Sequence, residues 1–174
     1  LVNKTILLSN LRNGTRVVIP KRTDLETIID KAVASAEDKI RGKNIILLKE
    51  MGKDRVHLNV DEDLVVTALS FVIENAVKFS PYNGAVEIIV RKTENEISCE
   101  VKDNGRGLGD GKHTDLMFSG FYVEDLEHHG RGHGLSLVIV KHIMLLHGGA
   151  VSASNNKNEP GCTFSLMLPS SLFV

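Results

Sequence analysis

The sequence has few cysteines, almost no net charge and no long hydrophobic run, and each shortage excludes a class of protein. Its two cysteines, Cys99 and Cys162, have neither a CxxC partner nor zinc-type spacing to histidine, so we predict buried free thiols. The 21 basic and 22 acidic residues give a net charge of −1, without the excess of basic residues that is typical of nucleic-acid-binding proteins. No apolar run has the length of a membrane span. We therefore expect this part of the chain to contact neither nucleic acid nor membrane.

Two common nucleotide-binding signatures are also missing. Neither Gly-x-x-x-x-Gly-Lys-Ser/Thr nor Gly-x-Gly-x-x-Gly at a strand-to-helix turn occurs, which disfavours a P-loop or Rossmann unit. What is present is the composition of an ordinary globular protein, with 42% hydrophobic and 25% charged residues. The length of 174 residues suits one domain with a sizeable core and an appended element.

Apolar periodicity predicts a mixed order of helices and strands. Helices are predicted over residues 1–11, 24–41, 61–80 and 135–146, and strands over residues 16–20, 45–50, 55–60, 85–91, 97–102, 150–154 and 162–168. Because strict βαβ alternation is missing, we expect an α/β two-layer sandwich with helices on one face of a mixed sheet. Between residues 103 and 134 the periodicity stops and glycine is frequent, which indicates a functional lid.

The first chemically informative segment, Glu-Asn-Ala-Val-Lys-Phe-Ser at residues 74–80, ends the third predicted helix. Asn75, Lys78 and Phe79 are spaced at i, i+3 and i+4, so their side chains share one face. An asparagine oxygen is a hard ligand that suits Mg²⁺, and a lysine can meet phosphate as a point charge. The alternative interpretation is a solvated helix end in which Lys78 pairs with Glu74.

The second segment, Asp-Asn-Gly-Arg-Gly-Leu at residues 103–108, directly follows a predicted strand. The carboxylate of Asp103 can accept a hydrogen bond from an adenine amino group. Gly105 and Gly107 let the backbone approach a flat base closely. The alternative is a plain Asp-Asn-Gly turn.

The third segment, Gly-Arg-Gly-His-Gly-Leu-Ser-Leu at residues 130–137, runs into the last predicted helix. Free amides at a helix N-terminus attract anions, and glycines there leave room for a triphosphate. A flexible linker would show the same composition. The occurrence of all three segments in this order favours a single nucleotide site.

These segments resemble the sequence boxes of sensor histidine kinases, a branch of the Bergerat-fold (GHKL) ATPases. Residues 75–79 resemble the N box, 103–107 the G1 box, Phe-Ser-Gly-Phe-Tyr at 118–122 the F box, and 132–137 the G2 box. The tail is similar too, at residues 147–151 and 161–169. Residues 7–14 resemble the end of a dimerisation helix. The resemblance implies a truncated helix over residues 1–14 and an ATP-binding domain over 15–174, with an ATP lid at about 104–131.

The resemblance assigns roles by position. It implies that Asn75 holds Mg²⁺ and that Lys78 contacts phosphate, which makes these two the catalytic residues, with ATP and Mg²⁺ as cofactors. Asp103 would read the adenine amino group. Phe118, Phe121 and Tyr122 would anchor the lid. The full nucleotide-binding set comprises Asn75, Lys78, Phe79, Asp103, Gly105, Gly107, Leu108, Arg131, Gly132, His133, Gly134 and Leu135.

The chain departs from the family pattern at four positions. Phe71 stands where a second asparagine is frequent, and Ser136 replaces a common glycine. Gly120 and Val123 stand where proline and arginine are frequent in the F box. Hydrolysing relatives carry a glutamate at the position of Phe71, and a phenylalanine cannot act as a general base. Autonomous ATP hydrolysis is therefore disfavoured.

The activity implied by the resemblance is transfer of the ATP γ-phosphate to a histidine on an upstream dimerisation domain. No histidine of this sequence lies in the setting typical of the phosphoacceptor. The implied partners are that domain and the receiver domain of a response regulator. The resemblance also implies a homodimeric full-length protein with this domain in the cytoplasm, and it leaves open whether the full-length protein is anchored in a membrane. Two alternatives remain open at this point: a degenerate nucleotide-binding or scaffold module of a two-component receptor, and another GHKL kinase or ATPase.

Overall fold

The structure, a computed structural model, describes residues 2–109, 114–119 and 134–174. Its helices are α1 (Val2–Arg12), α2 (Leu25–Gly42), α3 (Glu62–Phe79), α4 (Thr114–Met117) and α5 (Leu135–Leu146), followed by a 3₁₀ turn at Ser170–Leu172. Its strands are β1 (Lys21–Asp24), β2 (Ile46–Glu50), β3 (His57–Val60), β4 (Ala85–Lys92), β5 (Glu96–Asp103), β6 (Ala150–Asn155) and β7 (Cys162–Pro169).

Five strands form the main sheet, in the order β2-β4-β5-β7-β6. The β2–β4 pair is parallel and the other three pairs are antiparallel, so the sheet is mixed. Residues alternate across a strand, and the buried side of β5 carries Ile97, Cys99 and Val101. The predicted α/β sandwich with a mixed sheet is confirmed.

Helix α3 lies at the centre of the helical layer, between α2 and α5, and also contacts β4 and β5. Its N-cap is Asp61, whose side chain accepts a hydrogen bond from the backbone N–H of Leu64 at 3.2 Å. It ends at Ser80, whose extended backbone precedes Pro81, as expected for a residue before proline. Local sequence signals therefore mark both ends of the helix that carries Asn75.

The strand predicted over residues 16–20 is wrong, because the first strand begins at Lys21 and pairs with β3. The backbone N–H of Ile19 donates to the Asp61 carboxylate at 3.0 Å, and the Arg16 guanidinium pairs with the same group at 3.3 Å. The segment is thus tied to the N-cap of α3 rather than to a sheet. Val17 and Ile19 are exposed, so the apolar residues that suggested a strand do not mark a buried one.

The sequence predicts β2 and β3 as consecutive strands, and the structure places them in different sheets. β2 pairs in parallel with β4 at an edge of the main sheet, whereas β3 forms a two-stranded sheet with β1. Their observed starts lie at residues 46 and 57, one and two positions later than predicted.

Helix α1 packs against α5. Leu8 and Leu11 are buried in the same hydrophobic cluster as the rest of the core, which supplies the partner surface that so short a helix needs. Within residues 2–109, 114–119 and 134–174, no helix is both long enough and apolar enough to cross a bilayer.

Candidate functional site

The C-terminal end of α3 presents the predicted polar face. Asn75 is half-buried, whereas Lys78 and Phe79 are exposed. The Glu74 carboxylate pairs with the Lys39 ammonium of α2 at 2.7 Å, so it is directed toward the neighbouring helix. Glu74 therefore pairs with Lys39, whereas the alternative interpretation of this segment pairs it with Lys78.

Phe79 belongs to the first predicted segment and contacts Arg106 of the second. Its ring lies 5.0 Å from the Lys78 ammonium and 5.5 Å from the Arg106 guanidinium, measured to the ring centroid. Both distances are in the range of cation–π contacts. The Phe79 ring, which is 43% exposed, therefore contacts one cation of α3 and one of the loop after β5.

Lys43, which sequence reasoning missed, closes the end of α3. Its ammonium donates to the backbone carbonyls of Val77, Lys78 and Ser80 at 3.0, 2.7 and 2.6 Å. These groups belong to the last turn of the helix and the residue after it, where carbonyls lack helical partners and the dipole favours a cation. The lysine follows the glycine that ends α2, and nothing in its local sequence signals this long-range contact.

Asp103 ends β5 and is only 3% exposed. Its Oδ1 accepts hydrogen bonds from the backbone N–H of Gly105 at 2.8 Å and of Cys162 at 3.4 Å. Its Oδ2 accepts from the Cys162 thiol at 3.1 Å. A carboxylate has about four acceptor positions, so these contacts fix its orientation and leave capacity for a further donor. Cys162 was predicted only as a buried thiol; the structure places it in the site.

The two glycines of this loop occupy tightly packed positions. A Cβ at Gly105 would lie 2.5 Å from the backbone oxygen of Phe79, so this glycine permits the close approach of the loop to α3. Gly107 has a φ of +76°, a conformation that glycine adopts readily. The Asn155 side chain, also missed, accepts from the backbone N–H of Leu108 at 2.7 Å and donates to the carbonyl of Gly109 at 3.1 Å.

The third predicted segment is described from Gly134 onward. Gly134 is the N-cap of α5 with a φ of +61°, and Leu135 is buried directly after it. This part of the chain lies beside α3, because the Lys4 ammonium contacts both Ser136 and the Phe71 ring. The predicted site residues Arg131, Gly132 and His133 lie outside the described residues.

Of the three aromatic residues assigned to the lid, one lies within the described residues. Phe118 is 6% exposed and makes an edge-to-face contact with Phe164 of β7, with ring centroids 6.4 Å apart. The short helix α4 precedes it, inside a stretch where no regular structure was expected. Phe118 thus attaches the end of α4 to the main core. Phe121 and Tyr122 lie outside the described residues.

A mixed-sheet α/β sandwich with this asparagine, buried aspartate and glycine-led helix defines a class, the ATP-binding domains of the Bergerat type. Residues 60–172 match the family described as histidine kinase-, DNA gyrase B-, and HSP90-like ATPase. The match covers more than half of the chain, and the chain belongs to that family. Within it, the chain corresponds to the ATPase catalytic domain of sensor histidine kinases.

The curated relatives are longer than this chain. It is 27% identical over 166 residues to the heme sensor protein HssS of Staphylococcus saprophyticus, covering 95% of this chain and 35% of that protein. It is 30% identical over 172 residues to the sensor-like histidine kinase SenX3 of Mycobacterium tuberculosis, covering 97% of this chain and 41% of that protein. The chain therefore spans about two fifths or less of these relatives.

Solved structures show the same fold. The mycobacterial sensor histidine kinase MprB superposes with a TM-score of 0.74 at 25% identity, over 87% of this chain and 97% of that one. Full-length ShkA, crystallised with AMPPNP, superposes with a TM-score of 0.85 at 22% identity, over 99% of this chain and 35% of that one.

Proposed function

We propose that the chain binds Mg·ATP and acts as the catalytic domain of a two-component sensor kinase, which transfers the γ-phosphate to a histidine on an upstream dimerisation domain. The phosphoryl group would then pass to the receiver domain of a response regulator. The parent protein would be a homodimer with this domain on the cytoplasmic side. The family membership supports use of ATP; the remaining steps are our inference from the site and from the relatives.

The observation that carries the proposal is the close packing of the Asp103 loop against Phe79, at the end of the helix that also carries Asn75. Asp103 is a buried carboxylate whose orientation is fixed by three donors and which retains acceptor capacity, as recognition of an adenine amino group requires. Gly105 holds its loop against Phe79, at the end of the helix that presents Asn75.

The residues present also fit a magnesium-bound triphosphate. Asn75 offers a hard oxygen ligand, and Mg²⁺ typically completes its shell with water and phosphate oxygens. Lys78 shares the face of Asn75, and the first turn of α5 supplies backbone N–H groups without helical partners. When bound, the cation would neutralise phosphate charge. Asn75 and Lys78 would orient the triphosphate, and catalysis would depend mainly on positioning and electrostatics.

Binding of a non-hydrolysable ATP analogue with and without Mg²⁺ tests the proposal. We expect Asn75→Ala to remove the Mg²⁺-dependent part of the affinity, at least about tenfold, equivalent to about 1.4 kcal/mol. Asn95→Ala, at an exposed asparagine in the turn between β4 and β5, is the matched control and should bind as the wild type does. Wild-type chain that fails to bind the analogue, or an Asn75→Ala variant with unchanged Mg²⁺ dependence, would contradict the proposal.

The second candidate, a nucleotide-binding or scaffold module without catalysis, is favoured by one feature: Phe71 occupies the face of α3 that carries Asn75, where it can offer no polar ligand. Incubating the chain with ATP and a histidine-bearing dimerisation hairpin distinguishes the two. Acid-labile phosphate on the hairpin supports the kinase, and acid-stable phosphate indicates a serine kinase of the same family. Binding without any phosphate transfer supports the scaffold.

A further inference from the structure

Lys4 of α1 reaches two other helices with a single ammonium group. Its Nζ donates a hydrogen bond to the Ser136 hydroxyl of α5 at 2.7 Å, and it lies 4.2 Å from the centroid of the Phe71 ring on α3. Leu8 and Leu11, one and two turns further along α1, are buried in the core and hold the helix in place. The ammonium is therefore positioned by a packed element.

The two contacts of Lys4 place it at the phosphate end of the candidate site. Phe71 precedes Asn75 by one helical turn, so the two side chains lie on one face of α3. Ser136 follows Gly134 by two residues, in the first turn of α5, where the backbone N–H groups have no helical acceptors. The Lys4 ammonium thus lies between the helix that presents Asn75 and the helix end predicted to face phosphate.

Lys4 is half-buried and lies near other charged side chains. Burial lowers the pKa of Lys4, the Glu74 carboxylate raises it, and the nearby Lys39 and Lys78 lower it further. Glu74 is already paired with Lys39 at 2.7 Å, and among the described residues Lys4 itself forms no ion pair. Lys4 therefore lies near a carboxylate that is already paired with another lysine. A phosphate anion would give Lys4 an opposite charge of its own, and a half-buried cation is stabilised by such a charge.

We propose that Lys4 is a nucleotide-phosphate-binding residue, supplied to the site by the helix that precedes the ATP-binding domain. The inference rests on the proposed function and adds to it a contact from outside residues 15–174. In this arrangement the Phe71 ring, which cannot ligate metal or phosphate, supports the lysine that does. Docking of α1 and binding of the triphosphate then favour each other, because the bound phosphate and the docked helix share one contact.

Equilibrium titrations of the full chain with three probes test this: the non-hydrolysable ATP analogue with Mg²⁺, ADP with Mg²⁺, and adenosine. We expect Lys4→Met to weaken binding of the ATP analogue roughly tenfold, the size of one charge-assisted hydrogen bond. Binding of ADP should weaken less, and binding of adenosine should not change. Lys4→Arg keeps the charge and should restore most of the affinity. The matched control is Arg12→Met, which removes an exposed cation from the same helix about 12 Å further along its axis.

Each outcome has a separate meaning. Wild-type chain that binds none of the probes contradicts the proposed function itself. Wild-type binding that is lost in Asn75→Ala but unchanged in Lys4→Met overturns only the role of Lys4. An equal loss for all three probes identifies a structural contact, and tighter binding of the ATP analogue by Lys4→Met identifies an obstruction. Both results overturn the inference.

Discussion

At the scale of single residues, the buried carboxylate of Asp103 shows how a binding group is kept rigid. Removing a carboxylate from water is costly unless hydrogen bonds replace its hydration. Here two backbone N–H groups and the Cys162 thiol do so. The thiol is a weak donor, so the oxygen that it contacts remains a good acceptor. Because the donors come from the loop after β5 and from the first residue of β7, the orientation of Asp103 depends on how closely that loop packs against β7.

Gly105 allows the loop after β5 to pack against α3, and we predict that replacing it is destabilising. In Gly105→Ala the new Cβ would lie 2.5 Å from the Phe79 oxygen and 2.9 Å from the Asp103 Oδ1. Backbone must shift to relieve both contacts, so we expect a loss of about 1–3 kcal/mol in the free energy of unfolding. Nucleotide affinity should fall as well. Urea unfolding and titration with the ATP analogue measure the two effects.

Gly52→Ala provides the control for this substitution. A Cβ at Gly52 would meet nothing within 4 Å, so the same chemical change adds no overlap. Its free energy of unfolding should stay within about 1 kcal/mol of the wild-type value, and its affinity should not change. A Gly105→Ala variant that behaves like Gly52→Ala would show that the loop has room to move away from α3.

At the scale of elements, the C-terminal end of α3 is stabilised by Lys43, which directly follows α2. In Lys43→Met, the carbonyls of Val77, Lys78 and Ser80 lose a shared cationic donor. We expect the free energy of unfolding to fall by about 1–3 kcal/mol, the range for loss of hydrogen bonds to a charged group. Since Lys78 and Phe79 lie in this last turn, binding of the ATP analogue should weaken too.

Two variants make the result for Lys43 interpretable. Lys43→Arg keeps the charge near the helix end and should recover part of both losses. Lys53→Met removes an exposed lysine from the segment between β2 and β3 and should change neither. Unfolding and binding are followed in parallel. Unchanged stability in Lys43→Met would mean that water replaces the ammonium at these carbonyls without cost.

The sequence predicted the elements whose signals are local. Asp61 before an apolar helical stripe and Pro81 after it marked α3 to within a residue at each end, and alternation marked β4, β5 and β7. The failures came where tertiary contacts decide. The apolar residues at 16–20 suggested a strand, but the N–H of Ile19 is used by Asp61, 42 residues away. Likewise, nothing local could separate β2 and β3 into different sheets.

The same distinction applies to the site. Asn75, Asp103 and the glycines were predicted because each lies in a short segment with a chemically meaningful spacing, and their roles stay predictions. Lys43 and Asn155 were missed because their contacts lie 34 to 37 and 46 to 47 residues away along the chain. Cys162 was identified as buried but not as a neighbour of Asp103, 59 residues earlier. Spacing identifies segments, and only the fold identifies their supporting contacts.

At the scale of the whole molecule, Glu62 connects three elements at the end opposite Asn75 on α3. Its carboxylate pairs with Lys31 of α2 and, at 3.1 Å, with Lys21 of β1. The Thr23 hydroxyl of β1 lies 3.5 Å from the same group. The carboxylate is nearly buried, whereas both lysines are more than half exposed, so solvent and salt reduce the strength of each pair. Together they attach the small β1–β3 sheet to the helical layer.

This carboxylate gives the fold a predicted dependence on acid. The hydrogen bond from Lys31 and then that from Lys21 hold the pKa of Glu62 below its ordinary value, against the opposing effect of burial. A group with a depressed pKa stabilises the folded state above its unfolded pKa, about 4.3, and that contribution is lost as the pH falls through the folded pKa. Glu62→Gln should therefore be less stable than wild type at pH 7, and the difference should shrink below about pH 4.

Urea unfolding of both proteins at pH 7, 5 and 3 measures that difference directly. Glu94→Gln, at an exposed position in the turn between β4 and β5, is the control and should follow the wild-type profile. Added salt should reduce the difference in stability between the two proteins at pH 7, because the two lysines are exposed to solvent. If the difference in the free energy of unfolding stays constant down to pH 3, Glu62→Gln destabilises the fold through altered packing rather than through the lost charge. In that case the attachment of β1 to α2 and α3 would be steric, and the ion pairs at Glu62 would be incidental to it.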